Sequence, residues 1–365
     1  MQMTDNKLNE LLNIPDLWQY LSTADKPIVL YGMGDGADKI LNVCNEKNIK
    51  INGVFASDDF VRGQSFRGFT VKKYSDIKEE LGQVIILVSF ATSLNNVLER
   101  IYHLNSTDEL YAPDVPVFGQ GLFDNKFFKD NFEKFNAVYN FLTDDISKKT
   151  YFNIIKYKLT GNISLLYDCQ TDVKETFKNI IKPEKHSVYV DIGAYNGDTI
   201  REYVSFAGND VSVYAFEPDN KNFVKLSDNI KKLDLFSIKL YNIAAWDKKD
   251  NLTFYSRSGR NSAHTTSHSS AKAKIISADR ADAYISENVD YINIDAEGSD
   301  LQALIGLENV INNCKPTISC AVYHRNEDMF EIPLYLASKY IDFELYIRHF
   351  PYIPAWDTNI YIKQK

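Results

Sequence analysis

The hydrophobic pattern along the 365 residues changes character twice. Up to about residue 122, short apolar runs alternate with amphipathic stretches. "PIVLYG" (27–32) is followed by "DGADKILNVCNEKN", whose apolar positions fall at helical spacing. Then come "IKINGVFA", "QVIILVSF" (83–90), the helical "SLNNVLERIYHL", and "VPVFG" (115–119) as a fourth strand. Strands alternating with helices predict a small doubly wound α/β unit over 1–122. From 123 to 183 the strands disappear. "NKFFKDNFEKFNAVYNFL" and "SKKTYFNIIKYKL" repeat aromatic and aliphatic residues at helical spacing. This predicts a helical connector packed on both neighbours.

A second α/β unit is expected over 184–365, with parallel strands at 187–192, 211–216, 237–243, 290–294 and 316–323. Only "PYIPAWDT" joins the last two apolar runs, "FELYIRHF" and "NIYIKQ". That link is too short for a crossover helix, so a terminal antiparallel hairpin is predicted. A hairpin-like insert, "NLTFYSRSGRNSAHTTSHSSAKAKIISA", interrupts the alternation and crowds Ser, Thr, His264 and His268 into its middle. These residues suit either a gate over an acceptor or a mobile loop.

Composition narrows the class. An apolar fraction of 44% supports packed cores, and a net charge of −8 argues against a general nucleic-acid binder. The N-terminal stretch carries acids and no long apolar run. Neither a leader nor a membrane span is expected, and a cytoplasmic location follows. The four cysteines form no CxxC pair, which favours reduced core thiols over zinc. With 23 Tyr and 22 Phe, some aromatics are available to line a pocket for a flat or sugar-like ligand.

The stretch "YVDIGAYNGDTI" (189–200) reads as strand, glycine turn and helix start. Its spacing is G-x-x-x-G (Gly193, Gly197), not the G-x-G-x-x-G of dinucleotide sites, and Asp191 and Asp198 flank it. Carboxylates there would repel a pyrophosphate. S-adenosylmethionine, with its sulfonium, ammonium and carboxylate, removes that conflict. The loop amides are then expected to meet its carboxylate. Glu217, in "VYAFEPD", ends the next strand, where an acid holds both ribose hydroxyls; NAD enzymes use the same device. Asp191 also suits a strand-end turn, and Glu217 a helix cap before Pro218. Ala244 and Ala245 in "NIAAWD" leave room for an adenine face. "YINIDAEGSD" brings Asp295 and Glu297 to the C-terminal edge of the sheet, although the same stretch also starts a helix.

Together "VDIGAYNGDT", "AFEPD", "NIAAWD" and "INIDAEGSDLQAL" resemble the FkbM family of S-adenosylmethionine-dependent methyltransferases, from about 185 to the C-terminus. "CAVYHRNEDMFEIPLYL" and "ELYIRHF" with "WDTNIYI" resemble one branch of it, and the helical stretch ahead of the domain is similar as well. The resemblance implies a class I Rossmann-like fold and O-methylation of sugars or glycoconjugates. The cofactor set it implies is Asp191, Gly193, Ala194, Tyr195, Gly197, Asp198, Thr199, Glu217, Pro218, Ala245 and Asp295. Asp300 departs from the family, which often has Glu there.

The N-terminal unit carries Gly32, Gly34 and Ala37 in a G-x-G-x-x-A turn, with Asp58 at the end of the next strand. "RGQSFRGFTVKKYSDI" resembles a loop of bacterial sugar-nucleotide-modifying proteins. Three roles stay open: binding a nucleotide-sugar or glycan, binding NAD, or docking. No Tyr-x-x-x-Lys set follows that would transfer hydride.

A sugar hydroxyl must lose its proton as it attacks, so a base or a divalent metal is expected. The candidates are Asp295, Glu297, His324 and His349, with Arg325 available for an acidic acceptor. Three functions compete: a methyltransferase, an NAD-linked oxidoreductase, and a silent glycan-binding or scaffold protein. The first is expected.

Overall fold

The computed structural model describes residues 7–119, 121–256 and 272–365. The N-terminal sheet is built from β1 (Ile28–Tyr31), β2 (Ile51–Phe55), β3 (Ser65–Phe66), β4 (Phe69–Lys72), β5 (Ile85–Val88) and β6 (Glu109–Tyr111). Its order is β3-β4-β2-β1-β5-β6, parallel except for the β3–β4 hairpin. β1 and β5 are buried at every position, as uninterrupted apolar runs covered on both faces require. The expected strand at 115–119 is not one; the sixth strand forms earlier, at Glu109–Tyr111. Pro113 and Pro116 have no N–H to give a ladder. The chain instead crosses to the other unit, where the Phe118 N–H donates to the His324 carbonyl (3.2 Å).

The connector is helical, with its longest helix at Asp145–Thr160. Asp144 caps that helix by accepting the Ser147 N–H at 2.7 Å. Gly161, at φ +67°, ends it in the left-handed conformation. Its buried tyrosines point to both neighbours: the Tyr157 hydroxyl donates to the Ala112 carbonyl and the Tyr151 hydroxyl to the Met329 carbonyl, each at 2.9 Å. One apolar cluster runs from Tyr31 and Ile86 through Phe135 and Ile155 to Ile292 and Ile318. The N-terminal sheet thus has a core of its own, around Leu30, Ile40 and Leu87, and a second one shared with the connector and the C-terminal unit.

The C-terminal sheet contains β7 (Val188–Ile192), β8 (Ser212–Phe216), β9 (Ser237–Tyr241), β13 (Tyr291–Ile294), β14 (Thr317–Ala321), β15 (Phe343–His349) and β16 (Thr358–Gln364). Its order is β15-β16-β14-β13-β7-β8-β9. Five strands are parallel. β16 runs antiparallel to β14, and β15 to β16, as the short link predicts. This is the parallel sheet with a terminal antiparallel pair that the family resemblance implies. The interrupting insert forms a separate small sheet: β10 (Ala244–Ala245), β11 (Asp250–Ser256) and β12 (Lys272–Asp279), in the order β10-β12-β11. His264 and His268 lie outside the described residues. The two sheet units also meet directly, because Thr92 and Ile353 exchange backbone hydrogen bonds of 2.8 and 3.0 Å. Among the described residues no helix is long and apolar enough to cross a membrane.

Candidate active site

In the C-terminal sheet, β8 and β9 are added on one side of β7 and β13 on the other, both in parallel, so the strand order reverses between β7 and β13, the crevice where open α/β sheets bind ligands. Gly193 leaves β7 at φ +82°, and a Cβ there would stand 1.9 Å from the Asp295 carbonyl oxygen. The loops after β7 and β13 therefore touch backbone to backbone, which only glycine permits. Gly193 and Ala194 both donate their N–H to the Phe216 carbonyl (3.0 Å), and the Tyr195 N–H goes to Glu217 Oε2 (2.9 Å). This departs from the expected arrangement, since those three amides are used to anchor the loop to the end of β8 rather than offered to a carboxylate ligand.

Glu217 is buried and also accepts the Asp219 N–H on Oε1 (2.7 Å). Burial raises its carboxyl to about 7, against the pull of those two amides. Asp191 is fully buried behind the loop and accepts from Thr199 Oγ1 (2.6 Å) and Asn293 Nδ2 (3.1 Å); burial raises it to about 6. Gly197 starts the helix Asp198–Ala207 at φ +80°, and its missing Cβ makes room for Ile230 and Leu226.

A cavity of about 310 Å³ brings both predicted groups together. Gly193, Tyr195, Asp198, Thr199, Glu217, Pro218 and Ala245 line it, as do Asp295, Glu297 and His324. Asp191, Ala194 and Gly197 stand behind that lining. His349 is elsewhere, fully buried at the end of β15. Its Nδ1 meets Thr358 Oγ1 at 2.9 Å, and burial lowers the imidazole to about 3. It neither lines the cavity nor carries a charge at neutral pH. Gly34 lines a second cavity, whereas Gly32 and Asp58 line neither.

The buried His324 is surrounded by carboxylates. Nδ1 lies 2.8 Å from Asp300 Oδ2; Nε2 lies 3.2 Å from Asp295 Oδ1 and 3.7 Å from Glu297 Oε2. Burial works against the imidazolium, but Asp300 and Asp295 outweigh it and hold the pKa well above the ordinary 6.5. Asp295 is only partly buried, and although desolvation works to raise its carboxyl, its contacts with His324 and Tyr323 keep it below the usual carboxylate range. Glu297 is raised to about 8, chiefly by burial and against the pull of His324, with smaller contributions from Asp295, Asp300 and Glu217. Toward the cavity, Nε2 and Asp295 Oδ1 are buried without an aligned hydrogen bond. The two atoms face each other at 3.2 Å.

Sequence reasoning gave Asp300 and Tyr323 no role. Asp300 accepts the Ala296 N–H on Oδ1 (2.8 Å) and the Gly298 N–H on Oδ2 (3.2 Å), which fixes the turn and presents Oδ2 to His324. An acid at the first residue of a helix can reach back to free amides, and that spacing was the available clue. Tyr323 donates to Asp295 Oδ2 at 3.1 Å. Arg325 does not line the cavity, and its Nε donates to the Gly298 carbonyl at 2.7 Å. Asp295, Asp300 and His324 offer ligand atoms within 4.8 Å of one another, a spacing that admits a cation. Since Asp300 is already held by two amides and the imidazole, a cation would have to displace those bonds.

Residues 191–347 match the model of the methyltransferase FkbM domain. The chain carries an FkbM methyltransferase domain. Its structure is similar to that of methyltransferase FkbM from Methylobacillus flagellatus KT, with a TM-score of 0.69 and 17% identity over 92% of this chain and 90% of that one. That likeness extends the shared fold to the N-terminal unit. Smaller overlaps occur with an rRNA methylase of Streptococcus thermophilus (TM-score 0.32, 14% identity, 50% of this chain and 90% of that one). A SAM-dependent methyltransferase of Aquifex aeolicus overlaps similarly (TM-score 0.30, 11% identity, 55% and 97%). No curated protein sequence matches the chain.

Proposed function

We propose that the protein transfers the methyl group of S-adenosylmethionine to a hydroxyl of a sugar in a glycan or glycoconjugate. The observation that carries this is the single cavity holding Glu217 and the Gly193 loop together with the Asp295–His324 pair. Glu217 would hold the ribose hydroxyls on the lone pairs its two amides leave free. Ala245 and Pro218 leave room for the adenine. The cofactor brings its own leaving group, so the protein has to orient the acceptor and remove its proton. His324 Nε2 takes that proton. Asp300 fixes the ring through Nδ1, and Asp295, steadied by Tyr323, stabilises the imidazolium that forms. The alternative of NAD chemistry at the N-terminal turn has little support, because Asp58 lies off both cavities.

Isothermal titration with S-adenosylmethionine and NAD, followed by labelled-methyl transfer to a glycan extract, tests this. Saturable binding of NAD but not of S-adenosylmethionine would overturn it. Glu217→Ala is expected to weaken S-adenosylmethionine binding by roughly 1.5–3 kcal/mol, the contribution of hydrogen bonds to a charged group. Unchanged affinity would remove Glu217 from the ribose site.

A pH dependence follows from the electrostatics. The base must be neutral at Nε2, and its carboxylates hold it protonated well above the ordinary value of 6.5. Turnover should therefore be low at that pH and should climb as the solution becomes alkaline and the imidazolium loses its proton. A kcat profile already flat by neutral pH would place the base elsewhere.

A further inference from the structure

A second cavity, of about 390 Å³, opens on the N-terminal unit beside the methyl-transfer cleft. Its walls come from the C-terminal ends of three adjacent strands of that unit: Gly34 and Lys39 after β1, Ser89 to Ala91 after β5, and Ala112, Pro113 and Val115 after the edge strand β6. This is the binding crevice of an open parallel sheet. Val117, Tyr352 and Trp356 line both cavities, so the two are neighbours across a shared wall. We propose that the acceptor is longer than one sugar and that this cavity holds a second, uncharged sugar unit while the first is methylated. The inference rests on the sugar acceptor proposed above.

The chemistry of the walls selects the occupant. The Tyr352 and Trp356 rings, with centroids 5.8 Å apart, and Phe90 offer apolar faces of the kind on which a sugar's C–H face stacks. An anionic nucleotide fits poorly. The one lysine in the lining, Lys39, already has its ammonium 2.9 Å from the Pro116 carbonyl, 3.4 Å from that of Val117 and 3.5 Å from Asp35 Oδ2. Asp35 and Asp38 add negative charge to the first turn of the helix Asp35–Glu46, the end that would otherwise attract a phosphate.

Two glycines of the N-terminal turn, Gly32 and Gly36, have a packing role instead. A Cβ on Gly36 would lie 2.3 Å from the Ser89 carbonyl oxygen, and one on Gly32 would lie 2.7 Å from Ser89 Oγ. Asp58, the acid expected to hold an adenosine ribose, sits 4.0 Å from Arg100 and outside the cavity. The turn has the spacing of a nucleotide site, but Gly32 and Gly36 serve helix–strand contact, whereas a Cβ on Gly34 would meet nothing within 4 Å.

The test uses the full chain, deuterated-methyl S-adenosylmethionine and an array of defined neutral mono-, di- and trisaccharides, with transfer read by mass spectrometry. The best disaccharide is expected to exceed its component monosaccharides in kcat/KM by about tenfold or more, mainly through KM. Ala91→Trp, which fills the cavity away from the shared wall, should abolish that advantage. Equal transfer to monosaccharides and disaccharides would overturn the second subsite while leaving the methyltransferase reading intact. An Ala91→Trp enzyme that keeps the advantage would do the same. Transfer to no saccharide, with S-adenosylmethionine bound, would defeat the sugar acceptor itself and the inference with it.

Discussion

His324→Ala is expected to lower kcat by roughly 10²–10⁴, the loss typical of a positioned base, while leaving S-adenosylmethionine affinity nearly unchanged. The expectation comes from geometry. His324 lies under the cavity with Nδ1 fixed by Asp300 at 2.8 Å and Nε2 beside Asp295 at 3.2 Å. None of the hydrogen bonds that hold the Gly193 loop or Glu217 passes through it. The ring is buried, and Phe118 packs against it with centroids 5.9 Å apart, so Ala also removes packing between the two units. His324→Gln, which keeps much of the volume, separates the two effects: rate should stay low while the melting temperature recovers. Near-normal turnover in either variant would exclude His324 as the base. Activity of the wild-type enzyme that disappears on chelation and returns with a divalent metal would instead make it a ligand.

Gly193→Ala is expected to destabilise the protein by about 3 kcal/mol or more, through left-handed backbone strain together with overpacking. A new Cβ at φ +82° would lie 1.9 Å from a backbone oxygen, that of Asp295, which cannot swing aside as a side chain can. Relief requires the loops after β7 and β13 to separate. That movement shifts Asp295, so cofactor affinity and turnover should fall with stability. Urea unfolding and cofactor titration of the purified variant measure both. A variant with wild-type stability and affinity would show that the two loops are not in contact. Gly34→Ala is the control, since a Cβ there meets nothing within 4 Å.

Much of the architecture was legible because burial leaves a periodic trace. β7 and β8 are apolar at nearly every position and are covered on both faces. The terminal hairpin could be read from the length of "PYIPAWDT" alone. The strand expected at 115–119 failed for a local reason, its prolines, and a tertiary one, the pull of Phe118 toward His324. Among the site residues, those at strand ends were legible: Gly193, Glu217 and Asp295 each follow a buried strand, and all line the cavity. His349 met the same criterion, since it ends β15. That strand lies at the sheet's outer edge, separated from β14 by β16, and its histidine is sealed in the core.

The sequence by itself determined the element order, the switch-point crevice, and the residues that ride on the strands beside it. These depend on contacts between near neighbours and on a periodicity that burial imposes. Only the tertiary structure decided how those residues are used. The Gly193 and Ala194 amides, which appear free in sequence, are taken by the Phe216 carbonyl. Asp300, which looks like an ordinary helix start, becomes the partner of His324 once β13 and β14 lie side by side. The N-terminal glycine turn has the spacing of a nucleotide site, but Gly32 and Gly36 are packed against Ser89 and Phe90 on the adjacent strand end. In each case a hydrogen-bonding group or an open space has several partners within reach of the chain. Which one it takes depends on residues far away in sequence, brought close only when the sheets and connector pack together.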